Sequence, residues 1–419
     1  MLHARHFGTL GLSALLILST QGKARADDDS RSIKTVFVIA LENHNWTQPA
    51  GQFSGPIQQI FQNPNAPFIN SLVNGTAVAK INGTAVNISR QVAYATNYRN
   101  VLATASGNNP HIHPSEPNYL WSEAGFNFNI FDDADPFVPQ GGPTVNQVNN
   151  LDNQLHLVRL MTDAGRTWRS YQEDIDLTGG SQLTNVVLPK NQWTVPLSSF
   201  SGNFTSGVNQ FNGSTQFNYA AKHNPQVFFT DSNGGDDSTP ANPLSHNYAP
   251  LQQLFVDLAN NAVADYNWIT PDQYNDMHTA LNGGFKGLTG DAANIAQGDN
   301  FLSTVVPAIM TSRAYQDHGA IIIWWDESEQ DAVNDNPDDF NHAIGEIVIS
   351  PQAHPNVQGV PFASSVLLSH SSDLRTMQEI FHVTKPLFLG DAVNVNDLSS
   401  LFAEGAIPSD DQDGDRGRN

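Results

Sequence analysis

Four short stretches of the chain collect side chains able to hold cations, move protons or act as nucleophiles. Glu42-Asn43 pairs an acid with an amide, both hard oxygen donors suited to Ca²⁺, Mg²⁺ or Mn²⁺ and tolerated by Zn²⁺. Asp326-Glu327 offers two adjacent carboxylates. Asp276-Met277-His278 sets two ligand-type side chains two residues apart, on one face of an extended backbone. A neutral imidazole there could bind a metal or hydrogen-bond an anion. The fourth stretch, His111-Ile-His-Pro-Ser-Glu-Pro-Asn-Tyr119, brackets Ser115 and Glu116 between Pro114 and Pro117. Proline fixes its own φ and restricts the residue before it, so the Ser115 hydroxyl stands on a stiff frame fit for a nucleophile. A nearby metal would lower its pKa and remove the need for a dedicated base. Each stretch also has a plainer reading: Asn and acids commonly end strands, and Pro-rich segments are commonly loops.

The elements that must carry these residues tip the balance. Thr35 to Leu41 (TVFVIAL) and Ala320 to Trp325 (AIIIWW) are continuous apolar runs, with shorter versions at Tyr266 to Thr270 (YNWIT) and Glu346 to Ser350 (EIVIS). Runs without apolar/polar alternation predict strands covered on both faces, as in parallel sheets. Helices are predicted between them, over 251–263 and 299–316. The alternation points to an α/β fold with three layers, α/β/α, around a mostly parallel sheet. Ligands of such sheets bind beyond the carboxyl ends of the strands. Glu42, the 271–278 segment and Asp326 all follow strands directly, so three strands deliver carboxylates to one sheet edge. Such a cluster repels itself unless a cation joins it or some acids are protonated. Residues 126–247, rich in Asn, Gln, Gly, Phe and Ser, read as a long loop-rich insertion or lid.

Composition bounds the setting. Arg5, the apolar Phe7 to Leu18 and Ala24-Arg25-Ala26 have the three-part layout of a secretory signal peptide over residues 1–26, leaving a main domain over 27–408. Cleavage before Asp27 would remove three basic residues and no acid, taking the net charge from −22 to −25. A surface this negative disfavours nucleic acid and anionic membranes. With no cysteine, neither a disulfide nor a thiolate nucleophile is available. The sequence has no P-loop, dinucleotide fingerprint or G-x-S-x-G. Residues 409–419 (SDDQDGDRGRN) read as a disordered tail.

Taken in order, VIALENHNW (38–46), HPSEPNYL (113–120), AGRTWRSYQED (164–174), KHNPQVFF (222–229), WITPDQYNDMH (268–278), GDNFLSTVVPAIMTS (298–312), IIIWWDESE (321–329), HAIGEIVISP (342–351) and LSHSSDLRTMQEIF (368–381) resemble one family. It is the phosphoesterase family that joins bacterial phospholipases C and acid phosphatases within the alkaline phosphatase superfamily, and the acid phosphatase branch is the nearer. The resemblance spans residues 36–381. It implies an alkaline phosphatase-like fold, a divalent metal ion and a phosphate-ester substrate, while the leader layout and the lack of any later apolar span in the sequence predict export without stable membrane anchoring. It implies Ser115 as nucleophile with His278 and His342 as catalytic partners. Glu42, Asn43, Asp326 and Glu327 match metal positions, and part of the family carries Asp at the last. His113, Asn118, Asp276 and His370 are expected around the substrate phosphate. Trp168 and Tyr171 are expected to pack the insertion. A phospholipase C would need a site for a lipid head group, such as an aromatic cage for choline, and Trp121, Phe126, Phe128 and Phe131 are the aromatics at hand. A non-catalytic cation-binding surface protein is the alternative of another class.

Overall fold

The computed structural model describes residues 31–47, 59–100, 113–139, 145–176, 188–328, 343–356 and 358–408. Residues 1–26, expected as a leader, His342, and residues 409–419, expected as a tail, lie outside them. Nine strands form the central sheet, numbered here along the chain: β1 (Thr35–Leu41), β2 (Val92–Arg99), β3 (Trp168–Gln172), β4 (Tyr248–Pro250), β5 (Tyr266–Thr270), β6 (Gly319–Trp325), β7 (Ile344–Ile349), β8 (Phe362–Ser364) and β9 (Leu368–Ser369). Their spatial order is β4-β3-β5-β1-β6-β7-β2-β8, with β9 also paired to β2. Only β7 runs against its neighbours. The other pairings are parallel, so β3, β5, β1 and β6 lie side by side with their carboxyl ends on one edge. Every residue of β5, β6 and β7 is buried, as continuous apolar runs require.

Helices cover both faces. Helices α1 (Pro67–Asn74), α4 (Leu251–Asn260) and α5 (Asp291–Thr311) pack together, and so do α2 (Ser115–Ala124), α3 (Leu157–Asp163) and α6 (His370–Ile380). Neighbouring residues on β6 separate the two layers, because successive side chains leave a strand on opposite faces. The Trp324 ring packs on Tyr119 of α2 and His370 of α6, at 5.2 and 4.6 Å. Trp325 turns the other way, and a Cβ on Gly345 would come within 2.7 Å of it. Residues 126–247 contribute two hairpins, at 137–147 and 200–219, but also α3 and the sheet strand β3. Trp168 and Tyr171 therefore pack in the main sheet.

Two details fix the loops at the sheet edge. The predicted 299–316 helix begins earlier, at Asp291, and Asp299 stands inside it. Its carboxylate accepts the backbone N–H groups of Phe68 and Ile69 at 3.1 and 2.8 Å, capping α1, whose own N-cap Ala66 has no side chain to do so. One position before it, Gly298 leaves room for Met277, since a Cβ there would meet Met277 Cγ at 2.3 Å. Met277 is buried with φ at 84°, a conformation costly for a side-chain residue and typical of a constrained functional loop.

Candidate active site

Glu42 follows β1 and lies at the centre of the edge, with no solvent exposure. Ser115 is the first residue of α2 and donates its hydroxyl proton to Glu42 Oε2 at 3.0 Å. One turn on, the Tyr119 hydroxyl donates to Glu42 Oε1. Ser115 opens α2, where the helix dipole adds positive potential, and the N–H of Glu116, next in that turn, is taken by Asp133 Oδ1 at 3.1 Å. Asp326 follows β6, the strand beside β1, and its Oδ1 accepts the backbone N–H of Asn43 at 3.0 Å. The Asn43 amide lies 2.7 Å from Glu42 Oε2 and 3.2 Å from Asp326 Oδ1, and with its nitrogen turned inward it donates to both. Turned outward, its oxygen joins the two carboxylates as a third hard donor.

On the other side of Glu42 is His223. Its Nε2 lies 3.2 Å from Glu42 Oε1 and its Nδ1 3.2 Å from Asp276 Oδ2. Neither approach has the direction of a hydrogen bond, so both nitrogens and Asp276 Oδ2 are buried without a partner. Glu42, His223 and Asp276 bring ligand atoms within 4.8 Å of one another. Asp276 is held by its own loop, where Oδ1 accepts from His278 N at 2.8 Å and the backbone oxygen accepts from Glu42 N. His278 lies beside the centre, its ring tilted by 49° at 5.9 Å from that of His223, with Nδ1 2.8 Å from Thr279 Oγ1.

The electrostatics follow from burying so many acids. Burial pushes the Glu42 carboxyl well above its ordinary range, and Asp326 and Asp276 push it further. Asp276 and Asp326 are raised by burial as well. His223 is driven well below an ordinary imidazole by burial, then by Lys222 and His278, and His278 falls to about 4 for the same leading reason. Lys222 is the cation of this neighbourhood, its Nζ donating to Asp133 Oδ2 at 2.9 Å. Neutral imidazole nitrogens beside Asp276 Oδ2, which has no donor, and the Glu42 and Asp326 carboxylates form a set that a divalent cation would satisfy. Glu42, Asn43 and Asp326 supply an all-oxygen set, and His223 with Asp276 adds the nitrogen that zinc accepts.

The remaining expected residues divide. Glu327 meets His113 Nδ1 at 2.8 Å through Oε1 and accepts from Asn118 Nδ2 at 2.9 Å through Oε2, so these three form one group beside the nucleophile. His370 is brought to the site but behind it. It is fully buried, its Nε2 is 2.6 Å from the backbone oxygen of Asp326, and its Nδ1 accepts from Trp324 Nε1 at 2.9 Å. His342 lies outside the described residues. Sequence reasoning gave no role to His223, Lys222 or Tyr119, although the first two open KHNPQVFF and the third closes the Pro-bracketed stretch.

The sequence profile of the Phosphoesterase family matches residues 108–384, about two thirds of the chain and most of this site. The chain belongs to the Phosphoesterase family. A "Probable acid phosphatase" of Kluyveromyces lactis is 29% identical over 167 residues, which is 40% of this chain and 30% of that protein. This phosphoesterase chain thus spans well under half the length of that relative. Among solved structures, a sulfatase from Pseudoalteromonas sp. aligns over 94% of this chain and 78% of its own, at 11% identity and a TM-score of 0.45. A protein of the alkaline phosphatase superfamily from Vibrio parahaemolyticus aligns over 87% and 70%, at 11% identity and a TM-score of 0.40. No described helix is long and apolar enough to cross a membrane.

Proposed function

We propose that this phosphoesterase is an exported, metal-dependent phosphomonoesterase of the acid phosphatase kind, working through a phosphoserine on Ser115. The observation that carries this reading is the Ser115 hydroxyl, held at a helix N-terminus and donating to Glu42, whose carboxylate lies within 4.8 Å of ligand atoms of His223 and Asp276. When bound by Glu42, Asn43 and Asp326, a divalent cation would lower the pKa of that hydroxyl and offset charge on the phosphoryl oxygens. In the first step the Ser115 oxygen bonds to phosphorus, its proton passes toward Glu42 Oε2, and the ester oxygen departs. The departing oxygen takes a proton from the imidazolium form of His278, which a pKa lowered to about 4 confines to acid solution. In the second step His278 accepts a proton from water, the water oxygen bonds to phosphorus, and the Ser115 oxygen leaves and regains its proton. Lys222 is assigned to support the phosphoryl charge from outside, and Asn118 and His113, both bonded to Glu327 beside Ser115, are assigned to its oxygens.

Of the aromatics weighed for a lipid head group, Trp121, Phe126 and Phe128 favour the monoesterase, while Phe131 is exposed. Phe126 packs edge-on against Phe128 at 5.1 Å, and Phe128 against Phe229 at 5.8 Å, as a core cluster packs. Trp121 Nε1 donates to Ser371 and Asp391. Export rests on the 1–26 leader, and N-terminal sequencing of protein recovered outside cells should begin at Asp27. Hydrolysis of a simple aryl phosphate should stop on chelation and return with a divalent ion. Full activity in protein shown metal-free by elemental analysis would contradict the metal requirement.

A further inference from the structure

Beside the Glu42 centre, at the ends of β3 and β5, a second set of acids meets. Glu173, Asp174 and Asp272 are buried, and each brings a carboxylate oxygen within 4.8 Å of the other two. Their donors are those of ionised carboxylates. Glu173 accepts from Asn209 Nδ2 at 2.6 Å, from Asn275 Nδ2 at 3.0 Å and from the backbone N–H of Asp272 at 2.9 Å. Asp272 Oδ1 accepts the N–H groups of Tyr274 and Asn275, and Asp174 Oδ2 accepts that of Asn218. Two oxygens are left over. Asp174 Oδ1 and Asp272 Oδ2 are buried with no donor at all, although their side chains meet. The charged groups that act most strongly on Glu173 and Asp174 are acids.

Buried carboxylate oxygens without a donor are costly, and an unpaired buried charge more so. One shared proton between Asp174 and Asp272 would still leave two negative charges uncompensated in the interior. A divalent cation answers both deficits, because it satisfies the two oxygens and leaves a single net charge. We propose that Glu173, Asp174 and Asp272 hold a second, oxygen-liganded divalent cation, separate from the one assigned to Glu42, Asn43 and Asp326. Its place explains what it would do. Asn209 and Asn218 belong to the 126–247 region, Glu173 and Asp174 end β3, and Asp272 opens the loop that carries Asp276 and His278. The ion would clamp these segments together, and through the Asp272 carbonyl, which accepts the Asp276 N–H at 2.9 Å, fix the loop facing His223.

The test counts bound Mn²⁺ by elemental analysis after chelation, reloading and gel filtration of the full chain, with thermal unfolding followed alongside. Wild type should hold about two equivalents, Asp326→Asn about one, Asp272→Asn about one, and the double variant none. Mn²⁺ should still raise the unfolding temperature of Asp326→Asn, a reading made with the proposed site unaltered. Asp174→Asn serves in place of Asp272→Asn if the latter fails to fold by circular dichroism. An Asp326→Asn protein without bound Mn²⁺ and without a thermal response overturns the second site and leaves Asp174 and Asp272 sharing a proton. If wild type and Asp326→Asn each hold one equivalent and Asp272→Asn none, the second site stands and the metal assignment at Glu42 falls.

Discussion

Two buried histidines in this protein each stand between two carboxylates, and they are in opposite states. His156 is stacked on Phe229 at 3.9 Å, with Nδ1 3.0 Å from Glu123 and Nε2 2.7 Å from Asp231, both with good hydrogen-bond direction. Burial pulls its pKa down, but the hydrogen bonds to Asp231 and Glu123 outweigh that and leave it raised. Glu123 is further tied by Val158 N and Gln226 Nε2. His223 has the same kind of neighbours at 3.2 Å, no hydrogen bond to either, and a pKa driven down. The first group closes on itself as a hydrogen-bonded bridge from Glu123 of α2 through His156, just before α3, to Asp231. The second keeps its nitrogens and an Asp276 oxygen unspent, which is what a site needs if a ligand is to complete it. Composition cannot tell these trios apart. Direction and saturation of hydrogen bonds can.

Breaking that contrast should show most at the nucleophile. Ser115→Ala should lower turnover by at least about three orders of magnitude, leaving the rate that binding and charge stabilisation sustain. Its unfolding temperature should stay near that of wild type, and calorimetry alongside steady-state kinetics checks both. His156→Ala should do the reverse. Removing one member of a buried charged group should cost about 3 kcal/mol in denaturant unfolding, with turnover per folded molecule unchanged. The pH dependence has a definite sign. The raised pKa of His156 gives stability that is full below about 6.5 and lost as pH climbs through the folded value. Despite burial, Asp231 is lowered by His156, so its share is lost only on acidification below the ordinary carboxylate range. The bridge should therefore be strongest in mildly acid solution, and in His156→Gln the stability profile should flatten there.

Smaller effects sharpen the other side. His223→Gln should weaken metal binding about 10- to 100-fold, as loss of a supporting group at a metal site does, without loss of apo stability. Isothermal titration with Mn²⁺ separates these. Asp326→Asn should raise apo stability slightly, by about 1 kcal/mol or less, because it removes one charge from a self-repelling group. A large destabilisation there would mean that the acids are structural after all.

How much of this was legible in the sequence follows from what each residue's position depends on. Glu42 and Asp326 were readable because fully apolar runs end at them, and a strand's end is a local property. Ser115 was readable because two prolines fix the backbone around it. The direction of β7 was not, since a strand buried on both faces has the same composition whether parallel or antiparallel. The start of α5 was missed because Asn294, Gln297 and Asp299 make its first turns polar, and the last two are buried against loops that only the fold supplies. His223 was hidden for a like reason. It sits in a short turn at 221–223 with no periodicity, and only tertiary packing places it between Glu42 and Asp276. Glu327 shows the reverse limit, an acid beside a site acid whose partners are His113 and Asn118.

The claim on which the rest depends is that Ser115 carries the phosphoryl group. Rapid acid quenching during turnover of a fast aryl phosphate, followed by peptide mass spectrometry, tests it directly. One phosphate on the peptide containing Ser115, forming and decaying at rates consistent with turnover, is the predicted result. Release of inorganic phosphate in a single turnover with that peptide never modified, and Ser115→Ala within tenfold of wild type, would contradict it and assign the attack to water.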